Sequence, residues 1–136
     1  MKKIIVFVLV LFMLPLMTAC TKTQKTFEPV DELKIEVLKE GSGKEVVQGS
    51  NVIADYTGMF VDGTVFDSSE GKEPIHFTAG GGQVIEGWDQ GFIGMKEGEK
   101  RRLSIPPSLG YGDEDFGPIP GGSTLIFEVE LIEVKN

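Results

Sequence analysis

The chain has 136 residues, 40% of them hydrophobic, with 21 acidic against 13 basic side chains and a formal charge of −8. That is enough for one small domain and not two; glycine shows no collagen period, and the negative charge disfavours nonspecific binding to nucleic acid or anionic lipid headgroups. The single cysteine excludes an internal disulfide and a multi-cysteine zinc site.

Lys2 and Lys3 precede an unbroken apolar run from Ile4 to Leu14, and small residues follow at Thr18 and Ala19. This is the order of a secretory signal, and the run is shorter than the ~20 residues that span a bilayer. Met17-Thr18-Ala19-Cys20 resembles the lipobox of bacterial lipoproteins, departing from it at Met17, where Leu is commoner. That resemblance implies residues 1–19 as signal peptide, a diacylglyceryl group on the Cys20 thiol, cleavage before it, and acylation of the new amino group, palmitate among the chains. Two or three such chains anchor a protein firmly, each buried CH₂ contributing ~0.8 kcal/mol. Loss of Lys2 and Lys3 makes the domain more acidic still. Residues 20–31 lack apolar periodicity and read as the lipidated Cys and a solvated tether, leaving 32–136 as the domain.

Leu33, Ile35 and Val37 alternate with Lys34 and Glu36, predicting a half-buried edge or sheet strand with those three on one side. Asn51 to Phe60 is a second β-rich stretch, and Asp62-Gly63 after it suits a type I′ hairpin turn returning through Val65 to Ser68. Ile75 to Thr78 is another short strand, broken by Gly80-Gly81-Gly82, whose spacing matches neither a dinucleotide fingerprint nor a P-loop. Val84 to Ile93 is the one plausible helix, with Ile85, Trp88 and Phe92 on one face; Gly87 and Gly91 weaken it, so packing on a sheet must hold it. Arg101 to Ile105 and Ser123 to Val134 complete the strands, Leu125, Phe127, Val129 and Leu131 alternating with Ile126, Glu128, Glu130 and Ile132. The sum is an α+β fold, a curved antiparallel sheet of about five strands wrapped on one short helix.

Familiar chemistries lack their parts. His76 is the only histidine and should face away from Ile75 and Phe77, a poor position for a general base or metal ligand. Asp113-Glu114-Asp115 lacks the EF-hand order, and no metal or other cofactor is expected. Lys100-Arg101-Arg102 reads as a charged sheet margin.

What remains is an aromatic set near turns, carried by four segments: Tyr56 to Ser69 (YTGMFVDGTVFDSS), Val84 to Gly91 (VIEGWDQG), Gly98 to Gly112 (GEKRRLSIPPSLGYG) and Ile119 to Leu131 (IPGGSTLIFEVEL). In this order they resemble the FK506-binding protein (FKBP) family of peptidyl-prolyl cis/trans isomerases, over essentially Leu33 to Val134. The resemblance implies a half-barrel curled around the helix with an apolar pocket between them. Trp88 would be its floor; Tyr56, Phe66, Phe77, Val84, Ile85 and Phe127 its walls; Asp67 and Tyr111 the polar groups at its mouth; and Ile119 part of an overhanging loop. The Ile85 backbone N–H would bond a bound carbonyl. Ile75 stands where many members place an aromatic, which should widen one wall and weaken macrolide binding.

The function so implied is a prolyl isomerase, tethered by lipid to the extracytoplasmic face of a bacterial membrane, that assists exported proteins. Its partners would be unfolded proline-containing polypeptides and FK506- or rapamycin-like macrolides, and the protein a monomer. The alternative is a noncatalytic proline-peptide binding or chaperone module on the same fold. The acids at 113–115 suggest clients with basic residues near proline.

Overall fold

The structure, a computed structural model, describes residues 24–136; the signal peptide and Cys20 lie outside them. Six strands and one short helix follow in order: β1 (Lys34–Lys39), β2 (Asn51–Met59), β3 (Val65–Ser68), β4 (Ile75–Thr78), α1 (Glu86–Gly91), β5 (Lys100–Ile105) and β6 (Leu125–Lys135), with a 3-10 turn at Pro107–Leu109. Every pairing is antiparallel, in the order β1-β5-β6-β2-β3. β4 also pairs with β2, along Asn51 to Ala54, while β3 takes Thr57 to Met59. β3 and β4 thus lie end to end beside β2, interrupted by a turn in which Lys72 N–H donates to Ser69 O. Six strands make a sheet five positions wide.

β6 joins both halves, and its inward residues Leu125, Phe127, Val129 and Leu131 are all buried. Strict alternation stops there. A bulge opposite Ile53/Ala54 leaves Ile132 outside, 45% exposed, and shifts the phase so that Val134 turns inward.

The helix is shorter than its sequence signal, beginning after Ile85, whose φ of −59° and ψ of 149° place it in extended backbone. Its two glycines decide how closely it lies. A Cβ on Gly87 would come within 2.6 Å of the Ile105 side chain and one on Gly91 within 2.7 Å of Leu103. These residues therefore cost helix propensity and permit contact with β5. Arg101 closes the helix end by donating to Gly91 O and Ile93 O, each at 3.1 Å.

Three expectations need correction. Leu33 packs on the core and β1 is an edge strand paired only with β5, but Ile35 and Val37 are 46% and 44% exposed, because the helix packs under β5 rather than at that edge. The hairpin turn is not type I′. Gly63 alone has positive φ (85°), Gly63 N–H donates to Phe60 O and Phe60 N–H to Thr64 O, so a type I turn is closed by a left-handed glycine. Residues 24–30 are not a solvated tether. Phe27 N–H donates to Val61 O, Val30 is buried with its N–H on Thr124 Oγ1, and Lys25 pairs with Glu128. Phe27 also lies 5.4 Å beneath the Arg102 guanidinium. This strap covers one end of the outer sheet face, where Met59 and Ile126 pair and are buried.

Candidate active site

The inner face of β2 and β6, the helix and the β3 edge enclose a cavity of about 210 Å³. Its floor is Trp88, 3% exposed, held edge-to-face by Tyr56 (ring centroids 5.2 Å apart) and Phe127 (5.1 Å). Phe66 meets Phe127 edge-on at 5.6 Å. This arrangement depends on Gly58 of β2, since a Cβ there would sit 2.7 Å from the Phe66 ring and 2.8 Å from Phe127. The indole N–H of Trp88 is buried and has no partner among the described residues. What the indole offers the cavity is its ring, which lines the floor among Tyr56, Phe66 and Phe127.

The mouth is polar. Tyr56 Oη donates to Asp67 Oδ2 at 2.7 Å, Asp67 Oδ1 accepts from Ser68 N–H at 2.9 Å, and Lys72 Nζ stands 3.9 Å from the same oxygen. Burial, and then the bond to Asp67 and its charge, push the Tyr56 phenol up to about 12. Burial followed by the Asp67 charge also raises Tyr111. Both phenols are therefore neutral donors at physiological pH. Tyr111 is stacked on Phe116, centroids 4.4 Å apart and rings 9° from parallel.

Nine of the eleven residues expected at the site line this cavity: Tyr56, Phe66, Asp67, Ile75, Val84, Ile85, Trp88, Tyr111 and Phe127. Phe77 does not. It is 5% exposed and packs beneath Trp88 and Phe92, supporting the floor from the core. Ile119 is not a lining residue either. It is 5% exposed, and it exchanges backbone hydrogen bonds with Phe116, so it fixes the loop from inside. Gln83 lines the cavity although no periodicity marks it; its Oε1 accepts from Thr78 N–H at 2.8 Å, leaving the side-chain amide N–H₂ available. Asp89, also unmarked, ties the glycine turn to the helix by accepting from Gly80 and Gly82 N–H at 2.9 and 3.0 Å.

His76 is exposed on β4, as its alternation required, and the described residues contain no group of three or more metal-ligating side chains. Asp113, Glu114 and Asp115 are exposed, with Asp115 Oδ1 accepting from Gly121 N–H. A larger hollow of about 700 Å³ opens on the outer sheet face beside Asp55, Glu130 and Lys100. Its lining is mostly polar and charged, with Tyr56 as its one aromatic residue, so the smaller, aromatic-boxed cavity is the better binding site for an apolar ring.

Comparison with known proteins agrees with this geometry. Residues 42–132 match the family model described as FKBP-type peptidyl-prolyl cis-trans isomerase. An FK506-binding protein of Neisseria meningitidis serogroup B is 55% identical over 104 residues, covering 75% of this chain and 95% of its own. FK506-binding protein 1A of Neurospora crassa is 50% identical over 114 residues, covering 82% and 95%. A crystal structure of AtFKBP13 superposes with a TM-score of 0.71 at 40% identity, covering 76% of this chain and 93% of that one. The chain belongs to the FKBP-type peptidyl-prolyl cis-trans isomerase family.

Proposed function

We propose that this FKBP-type isomerase turns its substrate over in the Trp88-floored cavity, with the prolyl ring on the indole and Tyr56, Phe66, Asp67 and Tyr111 around the twisting bond. The observation that carries the assignment is a cavity floored by the Trp88 ring and boxed by Tyr56, Phe66 and Phe127, whose polar edge is the Tyr56–Asp67 bond. The rotation barrier of ~18–20 kcal/mol comes from amide resonance, whose charge-separated form water favours. Twisting destroys that resonance, so a dry aromatic cavity raises the planar ground state relative to the twisted transition state. No nucleophile is required. The Ile85 N–H, at the unwound start of the helix, holds the carbonyl on one side, and the neutral Tyr111 phenol serves as donor at the mouth. Asp67, kept on Tyr56, accepts from whatever N–H the twisted peptide presents. Each ~1.4 kcal/mol removed from the barrier is tenfold in rate.

The relatives' names give FK506 as a ligand, and the same cavity would take such macrolides here. Ile75 offers less contact than an aromatic on that wall. The acids of 113–115, exposed beside the mouth, favour clients with basic residues near proline.

The N-terminal sequence supports the further reading that the protein is exported and lipid-anchored at Cys20, where it assists folding of exported proteins. Mass spectrometry tests this: the mature chain should begin at a diacylglyceryl-modified Cys20, and a Cys20→Ser variant should stay uncleaved. A mature protein retaining Met1 or carrying a free thiol overturns it. Catalysis is tested by refolding a protein whose slow phase is proline isomerisation, with Asp67→Ala and Trp88→Leu as controls. Wild type should shorten the ~10–100 s phase; a folded wild type that leaves it unchanged overturns the reading.

A further inference from the structure

A second groove, of about 450 Å³, lies around the corner from the proline cavity, walled by Pro29, Phe60, Val61, Pro118 and Pro120 with Thr124 at its base. Its size falls within the range of small-ligand sites. Three walls are prolines, which have no backbone N–H to offer water. Several of its polar groups are already engaged: Val61 O accepts from Phe27 N–H, Asp62 Oδ1 from Thr64 N–H, Thr124 Oγ1 from Val30 N–H, and Pro120 O from Ser123 Oγ, while the exposed Asp62 adds a carboxylate to the lining. Such a groove rewards an apolar side chain and asks for no backbone pairing.

It also adjoins the cavity through their walls. Phe60 in the groove packs on Phe66 in the cavity wall, ring centroids 4.9 Å apart. Pro118 lies between Phe116, stacked on Tyr111, and Ile119, which pairs with Phe116. A polypeptide leaving the cavity past Phe66 therefore meets this groove next. One groove wall is supplied by the strap, so the groove is complete only with residues 24–30 docked.

We propose that this groove is an accessory subsite for the same unfolded polypeptide, taking an apolar side chain that flanks the proline in the extended chain. The proposal rests on the isomerase reading of the cavity. It makes the protein prefer extended clients with an apolar residue near proline over short peptides.

The test compares three substrates sharing one Xaa-Pro core, with full-length protein in phospholipid nanodiscs. One is a tetrapeptide; the others are longer peptides carrying either Leu or Ser at the flanking positions. Wild type should show a KM about tenfold lower for the Leu peptide than for the Ser peptide, as expected for partial burial of one leucine. Val61→Asp and Pro29→Asp, which place a carboxylate in the groove from two separate segments, should erase that difference while leaving kcat/KM on the tetrapeptide unchanged. The unchanged tetrapeptide value reports that the variants are folded. Turnover of the tetrapeptide without discrimination between Leu and Ser, or discrimination that survives both substitutions, overturns the groove alone. Absence of tetrapeptide turnover by wild type overturns the isomerase reading and the groove with it.

Discussion

The floor and the mouth of the cavity are built by opposite means. Trp88, Phe77 and Phe92 at the floor are 3%, 5% and 0% exposed and belong to the core that fixes the helix to the sheet. Tyr56, Asp67 and Tyr111 at the mouth are half-buried or exposed, and a single side-chain hydrogen bond holds Tyr56 on Asp67. Floor residues thus serve stability and binding together, whereas mouth residues serve binding with little structural burden. Substitutions should separate along that line.

The largest effect is expected at the floor. Trp88→Ala should cost about 3–5 kcal/mol of stability, measured by denaturant unfolding, and remove nearly all turnover. Gly58→Ala should come next. Its Cβ presses on Phe66 and Phe127, so overpacking of about 1–3 kcal/mol should accompany a fall in kcat/KM for proline peptides. At the mouth the two readouts part. Asp67→Ala should lower kcat/KM about tenfold, the equivalent of ~1.4 kcal/mol in the barrier, while leaving the unfolding midpoint nearly unchanged. Equal loss of stability at Asp67 and Trp88 would erase the distinction.

Two smaller effects are read by pH. The Tyr56 phenol is raised in the folded state to about 12, above its ordinary value near ~10. Its contribution to stability is therefore complete below about pH 10 and lost as pH rises toward 12. Tyr56→Phe should flatten that part of the curve, as followed by thermal unfolding against pH. Glu128 shows the opposite sign on the outer face. Burial alone would raise it, but the bonds from Lys25 and Arg102 prevail and hold it low. Its contribution is present above the ordinary carboxylate range and lost as pH falls through the lowered folded value, and Lys25→Met should shrink that loss.

Much of this was legible in the sequence. Period-two alternation marked the first and last strands, β-rich composition and glycine turns marked those between, and the Ile85-Trp88-Phe92 spacing marked the helix. Eight of the nine expected lining residues fall in the four ordered segments, and Ile75 in the short strand between the first two. The departures have physical causes that pattern does not carry. Ile35 and Val37 look like core residues, but their exposure depends on how far the helix reaches beneath the sheet. Gly58, Gly87 and Gly91 look like weak points, yet they are places where a ring or a helix must approach closely. Phe77, on β4, and Ile119, in the last segment, are apolar residues whose side chains support the site from behind. The strap at 24–30 has no periodicity because it is fixed by backbone hydrogen bonds and by Phe27 against Arg102.

The most direct test of the central claim uses the chain's single tryptophan. The indole N–H resonance of Trp88 can be followed alone while an Xaa-Pro peptide is titrated. It should shift saturably together with the Ile85 amide, and Trp88 should exchange between free and bound positions as the peptide isomerises. Saturable binding that leaves both signals in place, with shifts confined to another surface, would contradict the assignment of this cavity as the active site.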